Sequence, residues 1–459
     1  MPALKRILVA NRGEIALRVI RACQQMGIET VLAASTADRD SLPARAADRM
    51  VCIGPAIAAQ SYLDVRAIIT AAKGTGADAV HPGYGFLSES PDLAQACADE
   101  GLVFIGPRPD NIREMGNKLK AREKAKAFGL PMLPGSEKVG SWQDAAQFAQ
   151  RIGFPVMLKA AAGGGGRGMK IVTQADEMQR MFESASNEAR AAFGDNTLYL
   201  ERYIANARHV EVQVLGDSFG NVIHLGERDC SLQRRHQKLV EESPAPAIAE
   251  PVREAIREAG VTLARSIAYE NAGTVEFIYD EDNKAFYFLE MNTRIQVEHP
   301  VSELVTGIDL VQEQIRVARG ETLRFRQQDI VFRGHALECR INAEVPSEGF
   351  RPSPGRITAW DPPQGPNIRL DSHCHAGYAV PPYYDSMIGK LIVYGSDRGE
   401  AIDRMSHALA RFRVEGIGTT LEFLRHVMRH PDFVAGRVST GLVGQMLDEL
   451  KTQAAVNRA

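Results

Sequence analysis

The segment from residue 274 to residue 300, TVEFIYDEDNKAFYFLEMNTRIQVEHP, restricts the fold more than any other part of the chain. Two strand-like runs flank a short polar stretch centred on Asn283, which favours an antiparallel hairpin. A three-residue turn there places Glu276 opposite Glu290, with their Cβ atoms roughly 5 Å apart. Two carboxylates so close repel each other unless a cation lies between them, and Mg²⁺ binds carboxylates together with nucleotide phosphates. The hairpin therefore predicts a magnesium site, whereas a two-residue turn would shift the register and break the pairing.

After Glu290 the polar residues continue in steps of two, at Asn292, Arg294, Gln296 and Glu298. In an extended chain these side chains share one face. Such alternation is also typical of a solvated strand face. The preceding run FYFL indicates burial on both faces, which favours an enclosed polar surface. The pattern predicts a site for a metal, an anion and a proton acceptor.

Four consecutive glycines lie in the segment KAAAGGGGRGMK, residues 159–170. Small residues allow backbone N–H groups to converge on phosphate oxygens. Both flanks look like strands, so we expect a strand–loop–strand hairpin, and the G-K-[ST] ending of a Walker A loop is missing. One interpretation is a mobile surface turn. The other is a flexible lid, flanked by Lys159 and Arg167, that closes on ATP.

Residues 5–34 have the pattern strand, helix, strand, which predicts a βαβ unit and a parallel sheet. The first turn reads NRGE, so the dinucleotide-binding fingerprint is absent. Proline-rich turn signals towards the C-terminus indicate a mixed, β-rich region. We predict an N-terminal α/β (Rossmann-like) domain at 1–113, a central α+β domain at 114–330 with a lid at about 131–203, a β-rich C-terminal domain at 331–446 and a tail at 447–459.

Composition restricts the class of protein. A formal net charge of −3 argues against a general nucleic-acid or anionic-membrane surface. The sequence has no apolar run long enough to cross a bilayer and no signal-peptide pattern at its start. The six cysteines are scattered without CxxC spacing, which predicts a reduced compartment and no structural zinc. We therefore expect a cytoplasmic protein with no nucleic-acid or membrane partner.

Several further residues each fit two interpretations. The stretch ERDCSLQRRHQKLVEE fits a solvated charge run, or a pocket into which His236 and Lys238 both face from one strand. His209 fits either a structural histidine or a nucleotide contact. Arg340 lies in a strand-like run, where a buried arginine usually pairs with a carboxylate.

Seven motifs occur in order along the chain: ANRGEIALR, HPGYGFLSE, GGGGRGM, ERDCSLQRRHQK, EMNTRIQVEHP, ECRINAE and PPYYDSMIGK. Together they resemble biotin carboxylase, a family with the ATP-grasp fold, over all of the chain except its C-terminal tail. ATP-grasp folds hold the nucleotide between two α+β halves, one of which carries the glycine hairpin as a lid. The resemblance therefore implies that residues 114–330 form the ATP-grasp domain.

The resemblance also implies roles for individual residues. For ATP it implies Lys118, Lys159, Gly165, Gly166, Glu201, Arg202, Ile204, His209, Gln233 and His236. For Mg²⁺ or Mn²⁺ it implies Glu276, Glu290 and Asn292. For bicarbonate it implies Arg294, Gln296 and the backbone of Val297, and for biotin it implies Tyr84 and Arg340. The implied catalytic residues are Glu298 as the base, Lys238 beside the transferring phosphoryl group, Arg294, and Arg340 for the biotin enolate.

The implied reaction is ATP- and bicarbonate-dependent carboxylation of biotin through carboxyphosphate. The tetrapeptide Ala-Met-Lys-Met does not occur, so we expect a separate biotin carboxyl carrier protein, together with carboxyltransferase subunits and a homodimer. A bacterial-type acetyl-CoA carboxylase of fatty acid biosynthesis is the expected system. The alternatives are a subunit of another acyl-CoA or pyruvate carboxylase, a different ATP-grasp ligase, and a non-catalytic nucleotide-binding subunit.

Two departures from the family pattern lie near the predicted ATP site. Ala161 and Ala162 stand where the family usually has glycine or a small polar residue, and alanine does not freely adopt a positive φ. Asn117 stands where an aspartate commonly precedes the lysine. We expect both departures to affect the rate of lid closure without removing a catalytic group.

Overall fold

A parallel sheet forms the N-terminal part of the fold, as the βαβ pattern predicts. The computed structural model describes residues 4–161 and 168–456, with side chains as far as residue 452. The strands are β1 (Arg6–Val9), β2 (Glu29–Ser35), β3 (Arg49–Gly54), β4 (Ala79–His81) and β5 (Val103–Phe104). The helices are α1 (Gly13–Gln25), α2 (Leu42–Ala46), α3 (Val65–Thr75), α4 (Pro91–Asp99) and α5 (Pro109–Met115). The strand order is β3-β2-β1-β4-β5, and helices cover both faces, so Ile7, Leu8 and Val9 of β1 are all apolar and buried.

A three-stranded antiparallel sheet contains the strands on both sides of the glycine run. Its strands are β6 (Val156–Ala160), β7 (Lys170–Val172) and β8 (Leu198–Arg202), and the nearby helices are α6 (Lys118–Ala127), α7 (Trp142–Ile152) and α8 (Met178–Phe193). Because β6 pairs with β7, the strand–loop–strand prediction is confirmed for the two flanks. The predicted residues Gly165 and Gly166 lie outside the described residues, as do Ala162 and Arg167.

The remaining elements form a larger antiparallel layer and the C-terminal region. The strands as far as residue 342 are β9 (Ala207–Gly216), β10 (Val222–Arg234), β11 (Gln237–Ser243), β12 (Asn271–Asp280), β13 (Ala285–Asn292) and β14 (His335–Asn342). They are followed by β15 (Glu344–Val345), β16 (Arg351–Pro352), β17 (Gly355–Arg356), β18 (Ala359–Asp361), β19 (Ile368–Ser372), β20 (Ala379–Val380), β21 (Met387–Gly395) and β22 (Arg413–Glu415). The helices are α9 (Glu250–Ser266), α10 (His299–Thr306), α11 (Leu310–Ala318), α12 (Arg398–Arg411), α13 (Leu421–Val427), α14 (Pro431–Val434) and α15 (Leu442–Val456).

Eight of these strands make one sheet in the order β13-β12-β9-β10-β11-β14-β21-β19. The sheet continues across residue 330, because β11 pairs with β14 through four residue pairs. Helix α10 packs against β10, β11, β14 and β21, so the charged side chains on the near side of these strands lie beneath it. This buried layer supports the site described below.

The hairpin of β12 and β13 has the predicted pairing of Glu276 with Glu290, but its turn length differs from the prediction. Asp280 pairs with Ala285, so the connection has four residues and not the three that the sequence predicted. Four residues alone would pair Glu276 with Leu289. A β-bulge between Glu276 and Phe277 shifts the register by one residue, and Glu276 pairs with Glu290 as predicted.

The prediction that the polar residues from Asn292 to Glu298 share one face of an extended chain is wrong. Strand β13 ends at Asn292, and residues 293–298 are irregular. Glu298 is the residue that precedes α10, whose first turn contains Pro300. The chain must leave the sheet to start this helix, so Arg294, Gln296 and Glu298 do not share one strand face. Among the described residues, the structure contains no helix with the length and hydrophobicity to span a membrane.

Candidate active site

The polar residues of the central sheet open into one cleft with a volume of about 1040 Å³. Its walls include residues of the N-terminal sheet region, the three-stranded sheet and the eight-stranded sheet. The described residues that the sequence predicts for the site all line the cleft except Glu298, which is fully buried beneath it. Those that line it are Tyr84, Lys118, Lys159, Glu201, Arg202, Ile204, His209, Gln233, His236, Lys238, Glu276, Glu290, Asn292, Arg294, Gln296, Val297 and Arg340.

The paired acids of β12 and β13 meet cationic and amide groups in the cleft. Glu276 accepts hydrogen bonds from His209 Nε2 at 2.9 Å and from Asn292 Nδ2 at 2.9 Å. Lys118 Nζ lies 3.2 Å from Glu290 Oε2. Burial opposes the charge of Glu276, yet Lys238 and His209 hold the pKa of Glu276 well below its usual range. The carboxylates of Glu276 and Glu290 on neighbouring strands supply oxygen atoms that fit Mg²⁺ or Mn²⁺, and the Asn292 side chain lies beside Glu276.

Lys238 stands at the centre of the buried charges. Its Nζ lies 2.6 Å from Glu211, 3.1 Å from Glu276 and 2.6 Å from Glu298. Burial would lower the pKa of Lys238, but the carboxylates around it raise that pKa well above its usual range. The lysine is therefore a fixed positive charge.

Two other groups of side chains have potential ligand atoms within 4.8 Å of one another: His209, Glu211 and Glu276, and Glu211, Cys230 and Glu298. Each group includes carboxylates that already contact the Lys238 ammonium. A cation at either place would meet that fixed positive charge. Each of these groups has two carboxylates in contact with Lys238, whereas in the Glu276–Glu290 pair only Glu276 contacts it and both carboxylates line the cleft. We therefore assign the two groups to the surroundings of Lys238 and keep the Glu276–Glu290 pair as the candidate metal site.

Glu298 connects Lys238 to Arg340. Its Oε1 accepts from Lys238 Nζ at 2.6 Å, and its Oε2 accepts from the Arg340 guanidinium at 2.9 Å. Arg340 Nε also donates to Glu241 Oε1 at 2.5 Å. Although burial opposes ionisation, Lys238 and Arg340 hold the pKa of Glu298 well below its usual range. The carboxylate is thus ionised and, while both cations contact it, a weak base.

Arg294 forms the floor of the cleft beside these charges. Its Nε donates to Glu89 at 2.9 Å, and its terminal nitrogens donate to Gln296 Oε1 at 2.8 Å and Asn292 Oδ1 at 3.0 Å. The Val297 carbonyl accepts from Lys390 Nζ at 2.7 Å. These contacts fix a guanidinium and an amide side by side, which suits a small planar anion.

The far end of the cleft carries the residues predicted for the nucleotide. Asn117 caps α6 by accepting from Lys120 N at 3.0 Å, which places Lys118 at the first position of the helix. Glu201, on β8, forms ion pairs with Lys159 and with Arg122 of α6. Arg202 and Ile204 lie at the rim, where they are exposed and half-buried. The nucleotide end therefore joins α6 to the three-stranded sheet through buried charges.

A tight turn between β10 and β11 shapes another wall. Arg235 and His236 both have positive φ, at 48° and 66°, as a two-residue turn requires. His236 and Gln233 thereby reach the cleft together, and the Gln233 amide lies 3.5 Å from His209 Nδ1. Burial lowers the pKa of His236, and the nearby lysines add to this effect. His236 is thus a neutral hydrogen-bonding group.

Tyr84 lies on the N-terminal side of the cleft. Its hydroxyl donates to the buried Glu14, which also pairs with Lys390 Nζ at 3.1 Å. Lys390 lies 5.8 Å from the centre of the Tyr84 ring. The N-terminal sheet region and β21 therefore meet at this wall.

Five charged residues around the site were not predicted from the sequence: Glu89, Arg122, Glu211, Glu241 and Lys390. Glu211 stands two residues from His209 on β9, so strand alternation could have found it. Glu89 and Lys390 end two of the quoted motifs but have no local pattern of their own. The other two become recognisable only through contacts between distant segments.

Three family models match successive regions of the chain. The chain matches "Biotin carboxylase, N-terminal domain" at residues 3–112, "Carbamoyl-phosphate synthase L chain, ATP binding domain" at 117–326 and "Biotin carboxylase C-terminal domain" at 338–445. A biotin carboxylase of Nostoc sp. is 54% identical over 442 residues, which cover 96% of this chain and 99% of the relative. The chain belongs to the biotin carboxylase family.

Solved structures of biotin carboxylases have the same fold. A biotin carboxylase from Campylobacter jejuni, crystallised as a β,γ-ATP complex, is 50% identical with a TM-score of 0.94, and the match covers 96% of this chain and 99% of that one. The biotin carboxylase domain dimer of Hydrogenobacter thermophilus 2-oxoglutarate carboxylase, with MgADP, ADP and bicarbonate, is 46% identical with a TM-score of 0.94. That match covers 97% of this chain and 98% of the domain. The biotin carboxylase chain is thus an ATP-grasp ligase with the family's α/β and α+β architecture.

Proposed function

We propose that the protein carboxylates biotin on a separate biotin carboxyl carrier protein, using ATP and bicarbonate. The observation that carries the proposal is the chain of contacts Lys238–Glu298–Arg340 beside Arg294 and the paired acids. It brings a proton acceptor, fixed cations and a metal-binding pair to one cleft. The reaction is the first half of a two-step carboxylation, completed by carboxyltransferase subunits.

ATP lies at the end of the cleft formed by β8 and α6. Lys118 and Lys159 contact its phosphates, Glu201, Arg202 and Ile204 surround the adenine, and His209, Gln233 and His236 contact the ribose or phosphates. Gly165 and Gly166 complete the proposed phosphate contacts from the lid. Mg²⁺ held by Glu276, Glu290 and Asn292 neutralises phosphate charge. The lysine ion pairs with Glu201 and Glu290 must loosen when the phosphates arrive, because the phosphates compete for the same ammonium groups.

Bicarbonate binds to Arg294, Gln296 and the backbone of Val297, next to Glu298. Glu298 removes its proton, and the resulting oxygen nucleophile attacks the γ-phosphorus of ATP, giving carboxyphosphate and ADP. In the present arrangement two cations make Glu298 a weak base. When phosphate and bicarbonate draw Lys238 and Arg340 towards themselves, the pKa of Glu298 rises towards the value that a general base needs. Lys238 then stabilises charge on the transferring phosphoryl group.

Biotin binds between Tyr84 and Arg340. Carboxyphosphate breaks down to CO₂ and phosphate, and the phosphate takes the proton from the N1′ nitrogen of biotin. The Arg340 guanidinium stabilises the enolate, which attacks CO₂ to form carboxybiotin. The closed cleft keeps water from CO₂ and carboxyphosphate.

The acceptor of the carboxyl group is chosen by partner subunits. We propose acetyl-CoA carboxylase of fatty acid biosynthesis as the system, in the cytoplasm and with the biotin carboxylase as a homodimer. The Nostoc relative is named a biotin carboxylase and is matched over 99% of its length, which supports a separate biotin carboxylase subunit in such a system. The Hydrogenobacter neighbour belongs to a 2-oxoglutarate carboxylase, which makes a 2-oxo-acid acceptor the second candidate.

The decisive experiment is ATP hydrolysis by the purified protein with bicarbonate, in the presence and absence of free biotin. We expect bicarbonate dependence and stimulation by biotin. Glu298→Gln keeps the side chain's shape but removes the base, so it should reduce the bicarbonate-dependent rate by about 10²-fold or more. Glu258→Gln, at an exposed position on α9, is the matched control and should behave as the wild type. Bicarbonate-dependent hydrolysis that biotin does not stimulate would reject the biotin assignment and favour another ATP-grasp ligase.

A further inference from the structure

Two glutamates lie side by side beneath Arg340, and the reaction described above uses neither of them. Glu241 on β11 is the register partner of Glu338 on β14. Their side chains therefore share one face of the sheet, with Cβ atoms roughly 5 Å apart. Both residues are completely buried. Two ionised carboxylates in such a position repel each other strongly.

Only one carboxylate of this pair has a charged partner. Glu241 Oε1 accepts from Arg340 Nε at 2.5 Å. Within the described part of the chain, no donor contacts Glu241 Oε2 or either oxygen of Glu338. A buried carboxylate that accepts no hydrogen bond favours its neutral form, because burial penalises the charge and nothing compensates for it. A neutral Glu338 carries a hydroxyl, and its register partner Glu241 has an oxygen that no described donor contacts.

The surrounding charges do not supply another partner. Arg340 on the same strand is shared between Glu241 and Glu298, and Lys390 on β21 contacts Glu14 and the Val297 carbonyl. Tyr84, from the N-terminal sheet region, donates its hydroxyl to Glu14. The charged groups that act on Glu338 are thus Arg340 on its own strand and Glu241, Lys390 and Glu298 on other elements, with the Tyr84 hydroxyl also nearby.

The titration behaviour agrees with this geometry. Burial raises the pKa of Glu338 well above its usual range, and Glu241 and Glu298 raise it further against the effect of Lys390. Burial also raises the pKa of Glu241 to about 7, although Arg340 opposes the shift. The two groups titrate as one unit.

We propose that Glu241 and Glu338 share one proton, and that this singly protonated pair is the positioning element that aligns Arg340 with the reacting biotin. The proposal rests on the role of Arg340 given above. With one proton, the pair presents one negative charge to the guanidinium, which then remains between Glu241 and Glu298. Loss of the proton adds a second negative charge beside Arg340 and draws it away from the substrate side.

The first test measures stability, which does not depend on any assigned activity. Because the folded-state pKa of Glu338 is raised, the proton's contribution to stability is full below the unfolded pKa and is lost as pH rises through the folded pKa. Glu338→Gln has an amide in place of the shared acid and escapes this loss. We expect its melting temperature to match or exceed that of the wild type, by a margin that grows as pH rises. A Glu338→Gln variant that is destabilised equally at all pH values would overturn the proposal.

Glu242→Gln is the matched control. It lies next to Glu241 but accepts from His335 Nε2 at 2.8 Å and from Arg398 Nε at 2.7 Å. Removing this paired carboxylate should destabilise the protein at neutral pH, in contrast to Glu338→Gln. Infrared difference spectra supply a direct signature. The wild type should show a protonated-carboxyl band that Glu338→Gln lacks and Glu242→Gln retains, and absence of the band in the wild type would contradict a shared proton.

The second test measures the effect on Arg340. In the wild type, the rate of biotin carboxylation should decline on the alkaline side as the pair loses its proton. Glu338→Gln should shift that decline upwards by about one pH unit or more. Glu241→Gln should raise the KM for biotin while the bicarbonate-dependent ATPase without biotin persists, since Arg340 loses one anchor. An unchanged alkaline limb in Glu338→Gln would refute the coupling to Arg340, whereas a wild type without any biotin-stimulated turnover would refute the proposed function instead.

Discussion

Arg228 provides the strongest test of how the buried charge layer supports the cleft. Its side chain is completely inaccessible to solvent, and its guanidinium donates to Glu211 at 2.6 Å, Gln213 at 2.8 Å, Ser302 at 3.0 Å and Thr274 at 3.2 Å. These acceptors lie on β9, β12 and α10, so one side chain joins three elements. Arg228→Met keeps much of the volume but leaves the acceptors without their donor.

The expected loss follows from the partners that remain. Breaking a buried ion pair by removing one partner costs roughly 3–5 kcal/mol. Glu211 keeps its contact with Lys238 at 2.6 Å, so we expect the lower end, about 3 kcal/mol. The same change should also lower the bicarbonate-dependent rate, because Lys238 is drawn towards Glu211 and away from Glu298.

Equilibrium urea denaturation at neutral pH, followed by circular dichroism, measures the free energy of unfolding. The double variant Arg228→Met/Glu211→Leu replaces both charges with apolar groups and should be more stable than Arg228→Met alone. Arg113→Met removes an exposed ion pair with Asp110 and should cost less than about 1 kcal/mol. The reasoning would be refuted if Arg228→Met lost less than about 1 kcal/mol of the free energy of unfolding. It would also be refuted if Glu211→Leu destabilised the Arg228→Met variant further.

Three further predictions follow from the ion pairs of the cleft. Glu290→Gln should raise the Mg²⁺ concentration for half-maximal ATPase by about tenfold or more, equivalent to ~1.4 kcal/mol, and a magnesium titration of the rate measures it. Arg122→Ala should raise the KM for ATP more than it lowers kcat. The reason is that Glu201 then pairs with Lys159 alone and holds that lysine away from the phosphates. Steady-state kinetics separate the two constants. Burial opposes ionisation of Glu242, but its partners lower its pKa to about 2. The ionised carboxylate therefore stabilises the folded state by roughly 3 kcal/mol above about pH 4.5, and this stabilisation is lost as pH falls towards 2. Acid denaturation of Glu242→Gln should lack this part of the wild-type transition.

Several features of the fold could be predicted because they depend on neighbours in the sequence. The apolar run around Ile7 and the following amphipathic helix predicted the βαβ unit, since burial and periodicity act over a few residues. The strands on both sides of the glycine run were predicted for the same reason. The opposition of Glu276 and Glu290 was predicted correctly, although from the wrong turn length.

The parts that could not be predicted depend on contacts between distant segments. The sequence around Leu289 contains no pattern that predicts the β-bulge, which is needed for Glu276 to pair with Glu290. The irregular path of residues 293–298 is set by the start of α10, which must pack on the sheet. The pairing of Glu89 with Arg294 joins positions 205 residues apart, so no local pattern includes both.

By itself, the sequence determined which chemical groups are available and which of them alternate along a strand, because backbone geometry fixes those relations over a few residues. Only the tertiary structure decided which charges meet. The strand order and the packing of α10 bring Glu211, Glu276 and Glu298 around one ammonium group. The strand order also places Glu338 beside Glu241 without a cation of its own. The pKa of a buried group depends on such neighbours and on desolvation, and both arise when the sheet closes beneath α10.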